Sequence, residues 1–245
     1  MKTLIIIPSR LSATRLPGKP LMKINGLSII SHVMKKAESA NIGEVFVAAE
    51  DQEIVDDVTK NGGQAILTNN HHETGTDRIF EAINKLNKTN IELVINLQGD
   101  EPLINVDDIK NLHNKMTQSK AQFGTLASNI SDKNVLEKQS LVKVITKESL
   151  DEFNFPEVKD FKREFVKDTK NVYHHLGVYC YQIETLKKFV SFAQSQNEIK
   201  NKLEQLRALD NQIIINVALA KVSAIGVDTE EDFVAIKKIM EYKDQ

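Results

Sequence analysis

The sequence has almost no cysteine and no long apolar run, and both absences limit the kind of protein it can be. Its single cysteine, Cys180, excludes an internal disulfide framework and is typical of a protein in a reducing compartment. Because Cys180 lies in an apolar, aromatic run, we interpret it as a small buried hydrophobe. No stretch approaches the ~18 apolar residues of a membrane span, and the N-terminus shows no signal-peptide pattern. We therefore expect a soluble cytoplasmic protein.

The sequence also lacks an excess of charge of one sign. Its net charge is −2, so neither nucleic acid nor an anionic membrane would attract the chain as a whole. Phosphate binding would therefore depend on local clusters of cations. No G-x-G-x-x-G follows the first predicted strand, which argues against a NAD-type dehydrogenase. No linker rich in Pro, Gly or Ser divides the chain, so we predict one domain, residues 1–245.

Apolar runs and segments of helical spacing alternate along the chain. Strands are predicted at 4–7, 44–49, 64–67, 92–97, 123–128, 141–146, 172–182, 212–220 and 221–227. Helices are predicted at 28–40, 51–60, 76–86, 105–119, 184–193 and 198–209, and after Thr229, whereas 147–171 has an irregular pattern. This order predicts an α/β fold with a mostly parallel central sheet and helices on both faces.

The first predicted strand leads into a loop that carries three cations. The apolar run 4–7 reads as a buried strand that Pro8 should end, because proline has no N–H to donate. Arg10, Arg15 and Lys19 follow in a loop at the carboxyl end of that strand, where open α/β sheets bind ligands. Arginine forks and a lysine ammonium suit phosphate. The alternative is an ordinary solvated basic loop.

A second polar segment precedes the helix at 76–86. Thr74-Gly75-Thr76 lies just before the helix N-terminus, which favours anionic ligands, and Arg78 follows in the first turn. A plain helix cap is the alternative. The adjacent His71 and His72 should point apart, with no cysteine or third histidine nearby, which argues against zinc.

Two aspartates lie where strands are predicted to end. Asp100 follows the strand at 92–97 and should face the cationic loop, an arrangement explained by Mg²⁺ bridging the carboxylate to phosphates. Residues 229–232 have the form of a capping box, and Asp228, just before them, is not needed for the cap. The two aspartates could therefore converge on one ion.

These segments together resemble the 3-deoxy-manno-octulosonate cytidylyltransferase family of sugar nucleotidyltransferases. The similar segments are PSRLSATRLPGKPL at 8–21, HETGTDR at 72–78, QGDEP at 98–102, VKV at 142–144, HLG at 175–177, LEQLR at 203–207 and GVDTEED at 226–232. Thr74 replaces the serine of the family's H-x-S-G-T-x-R element. The resemblance implies a Rossmann-like nucleotide-diphospho-sugar transferase fold. It also implies transfer of CMP from CTP to 3-deoxy-D-manno-octulosonate (Kdo), giving CMP-Kdo and pyrophosphate for lipopolysaccharide biosynthesis, in a cytoplasmic homodimer that uses Mg²⁺.

The resemblance also implies roles for individual residues. The nucleotide would be bound by Pro8, Ser9, Arg10, Arg15, Lys19, Thr74, Gly75 and Gln98. The acidic sugar would be bound by Arg78, Gln98, Lys143, His175, Glu204 and Gln205. Asp100 and Asp228 would bind the metal and, with Lys19, carry catalysis. For Glu204 and Gln205, a solvated helix face is the alternative.

One stretch departs from the family pattern. After Val144 the family continues through a Tyr-Phe-Ser-Arg segment, whereas this chain has Leu150 to Pro156 and a lysine-rich run. This leaves another acidic sugar open as the acceptor, such as an 8-amino analogue of Kdo or a nonulosonic acid. The other alternative is a regulatory protein that binds nucleotide without turnover, against which the intact Asp100 and Asp228 argue.

Overall fold

The computed structural model describes residues 2–12, 15–130, 134–222 and 226–243. The strands in these ranges are β1 (Lys2–Ser9), β2 (Lys23–Ile24), β3 (Leu27–Ser28), β4 (Glu44–Ala49), β5 (Ala65–Leu67), β6 (Ile91–Asn96), β7 (Phe123–Ser128), β8 (Lys143–Thr146), β9 (Val158–Lys162), β10 (Val172–Gln182) and β11 (Ile215–Leu219). The helices are α1 (Ile29–Ser39), α2 (Gln52–Lys60), α3 (Gly75–Leu86), α4 (Val106–Ser119), α5 (Asn134–Glu137), α6 (Ile183–Ser191), α7 (Gln196–Asn201), α8 (Leu206–Asp210) and α9 (Glu230–Lys243). A 3₁₀ turn covers Lys19–Leu21.

The chain forms two compact units. Of the described residues, those within 2–106 and 226–243 belong to the terminal unit, and those within 107–222 belong to the middle unit. Two compact units can belong to one domain, so the single-domain interpretation stays a prediction.

A parallel sheet forms the centre of the terminal unit. Its strand order is β6-β1-β4-β5, and all three pairings are parallel. β1 is an inner strand of this sheet, because Ile5 is paired with Val45 on one side and Ile95 on the other. The four side chains from Leu4 to Ile7 are fully buried, and helices α1 and α3 pack against this strand. The continuous apolar run is thus explained by burial on both faces.

The prediction that Pro8 ends the first strand is wrong. β1 continues to Ser9, and Pro8 lies opposite Ala48 of β4. The Leu97 N–H donates to the Ile6 carbonyl, so even-numbered residues of β1 direct their backbone groups towards β6. On the β6 side the ladder ends at Ile6, and the next residue that faces β6, Pro8, has no N–H to donate; on the β4 side the pairing continues to Ser9.

The middle unit is built on a sheet of mixed direction. β11 is parallel to β7, while β7–β10, β10–β8 and β8–β9 are antiparallel. β9 corrects the expectation that 147–171 is irregular. In that strand Val158 and Phe161 are buried against β8, but Lys159 and Asp160 between them hide the apolar pattern in the sequence.

The predicted helix at 198–209 is two short helices. Lys202 has a left-handed φ of 52° and ends α7, and α8 begins at Leu206. A capping box between Ser195 and Glu198 starts α7 two residues earlier than predicted. The Glu198 carboxylate then accepts two hydrogen bonds from the buried guanidinium of Arg207, which holds the two helices together.

The predicted strand at 221–227 is also wrong where the structure describes it. Residues 221–222 form a bend and 226–227 are irregular, while 223–225 lie outside the described residues.

Cys180 is buried as expected, and burial raises the pKa of its thiol. None of the helices in the described ranges is long and apolar enough to cross a membrane. The α/β class is confirmed, with a mostly parallel central sheet and helices around it.

Candidate functional site

A cavity of about 320 Å³ opens in the terminal unit, at the carboxyl ends of β1 and β6. Each residue predicted to contact the nucleotide or the metal lines this cavity, and so does Arg78. They come from four places: the segment 8–20, the start of α3, the segment around Asp100 and the segment around Asp228. The fold therefore brings together in one unit residues that are up to about two hundred positions apart in the sequence.

The segment that follows β1 supplies the cations. Arg10, Arg15 and Lys19 all line the cavity. Gly18 has a φ of 71°, a left-handed conformation that favours glycine, and it leads directly into the 3₁₀ turn that begins at Lys19. The Gly18 N–H donates to the Leu11 carbonyl at 3.2 Å, which closes the loop on itself.

Lys19 lies between the two predicted metal ligands. Its Nζ is 2.5 Å from Oδ2 of Asp100 and 3.6 Å from Oδ1 of Asp228. Arg15 approaches Asp228 from the other side, with 3.1 Å between its guanidinium and Oδ1. The two aspartates therefore converge as the sequence predicted, but the cation between them is Lys19 of the chain itself.

Backbone packing places both aspartates at this point. The Val227 N–H donates to the Asp100 carbonyl at 2.9 Å. Val227 is fully buried in an apolar cluster with Ile24 and Ile29, which anchors the segment that carries Asp228. The cap of α9 holds the other end, because Asp232 accepts hydrogen bonds from the N–H groups of Asp228 and Thr229.

Gly99 allows the segment before Asp100 to lie against β1. A Cβ at this position would be only 3.0 Å from the Pro8 carbonyl oxygen and 3.1 Å from Cδ1 of Ile30. A larger residue would push the segment away from the strand, so glycine keeps Asp100 beside the loop of Lys19.

Sequence reasoning missed a third carboxyl group in this cluster. Burial, together with the charges of Asp100 and Asp228, raises the pKa of Glu101 to about 8. Its Oε2 atom is buried and has no hydrogen-bond partner among the residues that the structure describes. Glu101 directly follows Asp100, but nothing in the sequence separates a buried carboxyl group from a solvated one. At neutral pH this carboxyl group is therefore mostly protonated, and Lys19 and Arg15 balance the charges of Asp100 and Asp228.

The start of α3 forms another wall of the cavity. Thr74 caps the helix by accepting the Asp77 N–H at 3.2 Å, so the cap interpretation of Thr74 is confirmed. Gly75 is the first residue of α3 and lines the cavity with Thr74. The partial positive charge of a helix N-terminus favours an anion at this wall, in addition to the cap.

Arg78 is buried, with only 3% of its surface exposed, although it lines the cavity. Its guanidinium forms an ion pair with Glu50 and donates to Thr68 Oγ1 at 2.7 Å and to the Asn69 carbonyl at 3.0 Å. These partners fix the orientation of the side chain. Its predicted contact with a sugar acid stays a prediction.

His72 also lines the cavity, and its imidazole pairs with the carboxylate of Glu81. Burial opposes the ionisation of Glu81. Hydrogen bonds from Lys85, His72 and the Asn69 N–H outweigh this effect and lower the pKa of Glu81 from its ordinary 4.5 to about 2. Glu81 therefore stabilises the fold in its ionised form.

This pKa predicts a pH-dependent effect of Glu81→Gln on stability. Because the folded-state pKa is the lower one, the stabilisation is complete above about pH 4.5 and is lost as the pH falls towards 2. The difference in unfolding free energy between wild type and variant should therefore shrink from pH 7 to pH 3 in urea titrations. Glu53→Gln, at an exposed site on α2, is the control. A constant difference for Glu81→Gln would contradict the assignment.

Four residues predicted to contact the sugar belong to the middle unit. The Nζ of Lys143 donates to the carbonyls of Lys138 at 2.7 Å and Arg163 at 2.9 Å. Burial lowers the pKa of this lysine, as does the charge of Arg163. His175 is 3.0 Å from Thr125 Oγ1, and burial lowers its pKa to about 3, so its imidazole is neutral at physiological pH.

Glu204 and Gln205 lie in the turn between α7 and α8, not along a helix. Gln205 is 4% exposed and Glu204 is partly buried, so the alternative of a solvated helix face is wrong. Their predicted role, like those of Lys143 and His175, stays a prediction.

Asp100 and Asp228 suit a small divalent cation in their donor chemistry. The described part of the chain contains no cluster of three His, Cys, Asp or Glu side chains that could enclose a metal. Two carboxylates at a cavity fit Mg²⁺, which is commonly held by one or two carboxylates together with substrate phosphates. The carboxyl group of Glu101, whose buried Oε2 has no partner among the described residues, lies beside them.

Sequence comparison relates the chain to proteins of known name. A family model described as cytidylyltransferase matches residues 4–221. A protein of Rhodopseudomonas palustris strain BisB18, named 3-deoxy-manno-octulosonate cytidylyltransferase, is 40% identical over 98% of both chains. A protein of the same name from Thermodesulfovibrio yellowstonii is 41% identical, again over 98% of both chains.

Structural comparison agrees. A solved structure of CMP:2-keto-3-deoxy-manno-octonic acid synthetase in complex with CTP has a TM-score of 0.89 and 32% identity, over 99% of this chain and 100% of that one. A 4-diphosphocytidyl-2C-methyl-D-erythritol synthase from Anaerococcus prevotii has a TM-score of 0.65 at 14% identity, over 98% of both chains, which shows a common fold alone.

Proposed function

Because this chain belongs to the cytidylyltransferase family, we propose that it is a 3-deoxy-manno-octulosonate cytidylyltransferase. It transfers CMP from CTP to Kdo and releases pyrophosphate. The product, CMP-Kdo, would serve lipopolysaccharide biosynthesis. The family motifs first noted in the sequence extend along nearly the whole chain, in agreement with the 98% coverage of the relatives.

One observation of the structure carries the proposal: Asp100 and Asp228 converge on Lys19 at the cavity wall. Such an arrangement of two acids and a lysine would be costly as a mere surface feature, because Glu101 beside it has a pKa raised to about 8 by burial and by the two charges. It is explained if a metal-bound triphosphate occupies the cavity. The buried Ser9 Oγ, which has no partner among the described residues, lines the same wall and can donate to a phosphate oxygen.

The reaction is an attack of the anomeric hydroxyl of the sugar on the α-phosphorus of CTP. A new P–O bond forms, the bond to pyrophosphate breaks, and the hydroxyl proton is lost. Catalysis of such transfers consists mainly of positioning and charge neutralisation. Arg10, Arg15 and Lys19 would hold the triphosphate by charge-assisted hydrogen bonds. No nucleophilic side chain is required, so we propose direct displacement.

Asp100 and Asp228 would hold Mg²⁺, which when bound lowers the charge that repels the incoming hydroxyl and can acidify it. Thr74 and Gly75 would place the N-terminus of α3 at an anionic group of the nucleotide. Pro8 and Gln98, which line the same cavity, complete the proposed nucleotide contacts.

For the sugar we propose Arg78, Gln98, Lys143, His175, Glu204 and Gln205. In the terminal unit, Arg78 offers a guanidinium whose orientation is fixed by its partners. In the middle unit, the neutral imidazole of His175 suits hydroxyl groups, because it can donate or accept a hydrogen bond. The identity of the acidic sugar rests on the relatives' names.

The test is pyrophosphate release by the purified protein with CTP, Mg²⁺ and one acidic sugar at a time. Kdo should give rapid release, and its 8-amino analogue or a nonulosonic acid should give much less. Omission of the sugar, or replacement of CTP by ATP, provides the blanks. Release with no sugar of the panel would overturn the proposed enzyme activity. Release with a non-Kdo acid alone would overturn only the substrate.

Mg²⁺, a cytoplasmic location and a homodimer also belong to the proposal and rest on the family resemblance. Addition of EDTA should abolish release, and Mg²⁺ should restore it. Analytical ultracentrifugation should give a mass near twice the chain's 27.6 kDa. A species of single-chain mass with full activity would remove the dimer from the proposal.

A further inference from the structure

The two acidic residues that follow β4, Glu50 and Asp51, reach towards the site without lining the cavity. Asp51 is the N-cap residue of α2, a position where an aspartate side chain ordinarily accepts a hydrogen bond from its own helix. Here the side chain makes no such bond. Its Oδ2 instead accepts the backbone N–H of Leu11 at 2.7 Å, forty positions earlier in the chain.

Glu50 makes two further links to the same region. Its backbone N–H donates to the Ser9 carbonyl at 3.1 Å, and its Oε1 lies 3.5 Å from the Ser12 hydroxyl. Its Oε2 forms the ion pair with Arg78. The Glu50 side chain is only 13% exposed, so this pair is screened little by water.

These bonds hold Arg10 on both sides. The residue before it is fixed through the Ser9 carbonyl, and the residue after it through the Leu11 N–H. Arg10 itself is exposed and lines the cavity, so its own packing restrains it little. The position from which the Arg10 side chain leaves the backbone is therefore set by hydrogen bonds to the Glu50 backbone and the Asp51 carboxylate.

We propose that Glu50 and Asp51 are positioning residues that hold Arg10 and Arg78 at the cavity for substrate binding. Asp51 acts on Arg10 through the Leu11 amide, and Glu50 acts on Arg78 through the ion pair. The inference rests on the proposed cytidylyl transfer, because the cavity is taken as the site of CTP. It adds to that function two residues that contact neither substrate.

The alternative is that the pair only stabilises the loop. Asp51 would then matter for thermal stability and not for substrate affinity. The distinction lies in the kinetic constants: a displaced phosphate-binding arginine raises the KM for CTP, whereas a loss of folded protein lowers only the apparent kcat. The position of the arginine is important here, because a small displacement of a binding group can lower the reaction rate by a large factor.

The decisive variant is Asp51→Ala, with Asp51→Asn as the conservative replacement. Asp51→Ala should raise the KM for CTP about tenfold with little change of kcat, as expected for weakened ground-state binding. Asp51→Asn keeps an oxygen acceptor for the Leu11 N–H and should restore most of the affinity.

Glu50→Gln should raise the KM for the acidic sugar more than that for CTP, since Arg78 loses its charged partner. Asp56→Ala, at an exposed position of α2, is the matched control and should change neither constant.

Amide hydrogen exchange provides a readout that needs no turnover. Loss of the Asp51 carboxylate should speed exchange at the Leu11 amide, and Asp51→Asn should largely restore its protection. Faster exchange together with an unchanged KM for CTP would overturn the positioning role. If the wild-type protein released no pyrophosphate with any sugar, the proposed function would fail. The positioning role would then be tested separately, by calorimetric measurement of the affinity for CTP. Equal affinity in wild type and Asp51→Ala would overturn the positioning role.

Discussion

Replacing Asp100 with alanine is expected to lower kcat by about two to three orders of magnitude, the range seen when one preorganised transition-state contact is removed. Asp100 is one of only two carboxylates at the cavity that contact Lys19 among the described residues. Without it the site would lose half of the proposed protein ligands for Mg²⁺, and Lys19 would lose its 2.5 Å partner. Steady-state pyrophosphate release with CTP and Kdo measures the effect.

The same variant should fold normally. The Asp100 side chain is 30% exposed, and an ion pair of this exposure contributes about 0–1 kcal/mol. Its removal also relieves Glu101, whose pKa is raised by burial first and then by the neighbouring charges of Asp100 and Asp228. The melting temperature should therefore stay close to that of the wild type. Asp107→Ala, in an exposed pair with Lys221, is the control and should retain full activity.

An Asp100→Ala variant with near wild-type kcat would remove this residue from the mechanism. Asp228→Asn offers a second, independent check, since Asp228 contacts both Lys19 and Arg15. If only the Asp228 variant lost activity, the metal would have to be held by that carboxylate without Asp100.

The largest expected effect on stability is that of Arg207→Met. Arg207 and Glu198 are 2% and 3% exposed, and their side chains share two hydrogen bonds of 2.8 and 2.5 Å. The guanidinium also lies over the Phe189 ring, 4.8 Å from its centroid. Loss of the arginine would leave a buried carboxylate without its charge partner. We expect the free energy of unfolding to fall by about 3–5 kcal/mol, as measured by urea titration.

A double variant separates the lost pair from lost packing. Glu198→Leu with Arg207→Met removes both charges and should be more stable than Arg207→Met alone, because no buried charge is left uncompensated. Lys187→Met, which breaks the exposed pair with Glu184, is the control and should cost less than about 1 kcal/mol. A loss in Arg207→Met no larger than in Lys187→Met would contradict the structural role of the pair.

Local sequence patterns determined the α/β class and most of the elements. The run of aliphatic residues at 4–7 predicted a buried strand, and the place of Thr74 and Thr76 before an amphipathic segment indicated a helix cap at one of them. Prediction from the sequence was wrong at two places. In β9 charged residues hide the apolar pattern of the strand, and at Lys202 a single residue ends a helix that the pattern continues. A lysine with a left-handed backbone conformation cannot be recognised from the amino-acid sequence.

For the site, the sequence by itself determined which residues belong to the family motifs, and so the nature of the proposed chemistry. Only the tertiary structure decided that Asp100 and Asp228 meet at Lys19, because this depends on a backbone hydrogen bond and an apolar anchor at Val227. Glu50 and Asp51 belong to none of these motifs, and the QGDEP motif that contains Glu101 does not show that its carboxyl group is buried. Burial and long-range partners give them their roles, and those are properties of the folded chain alone.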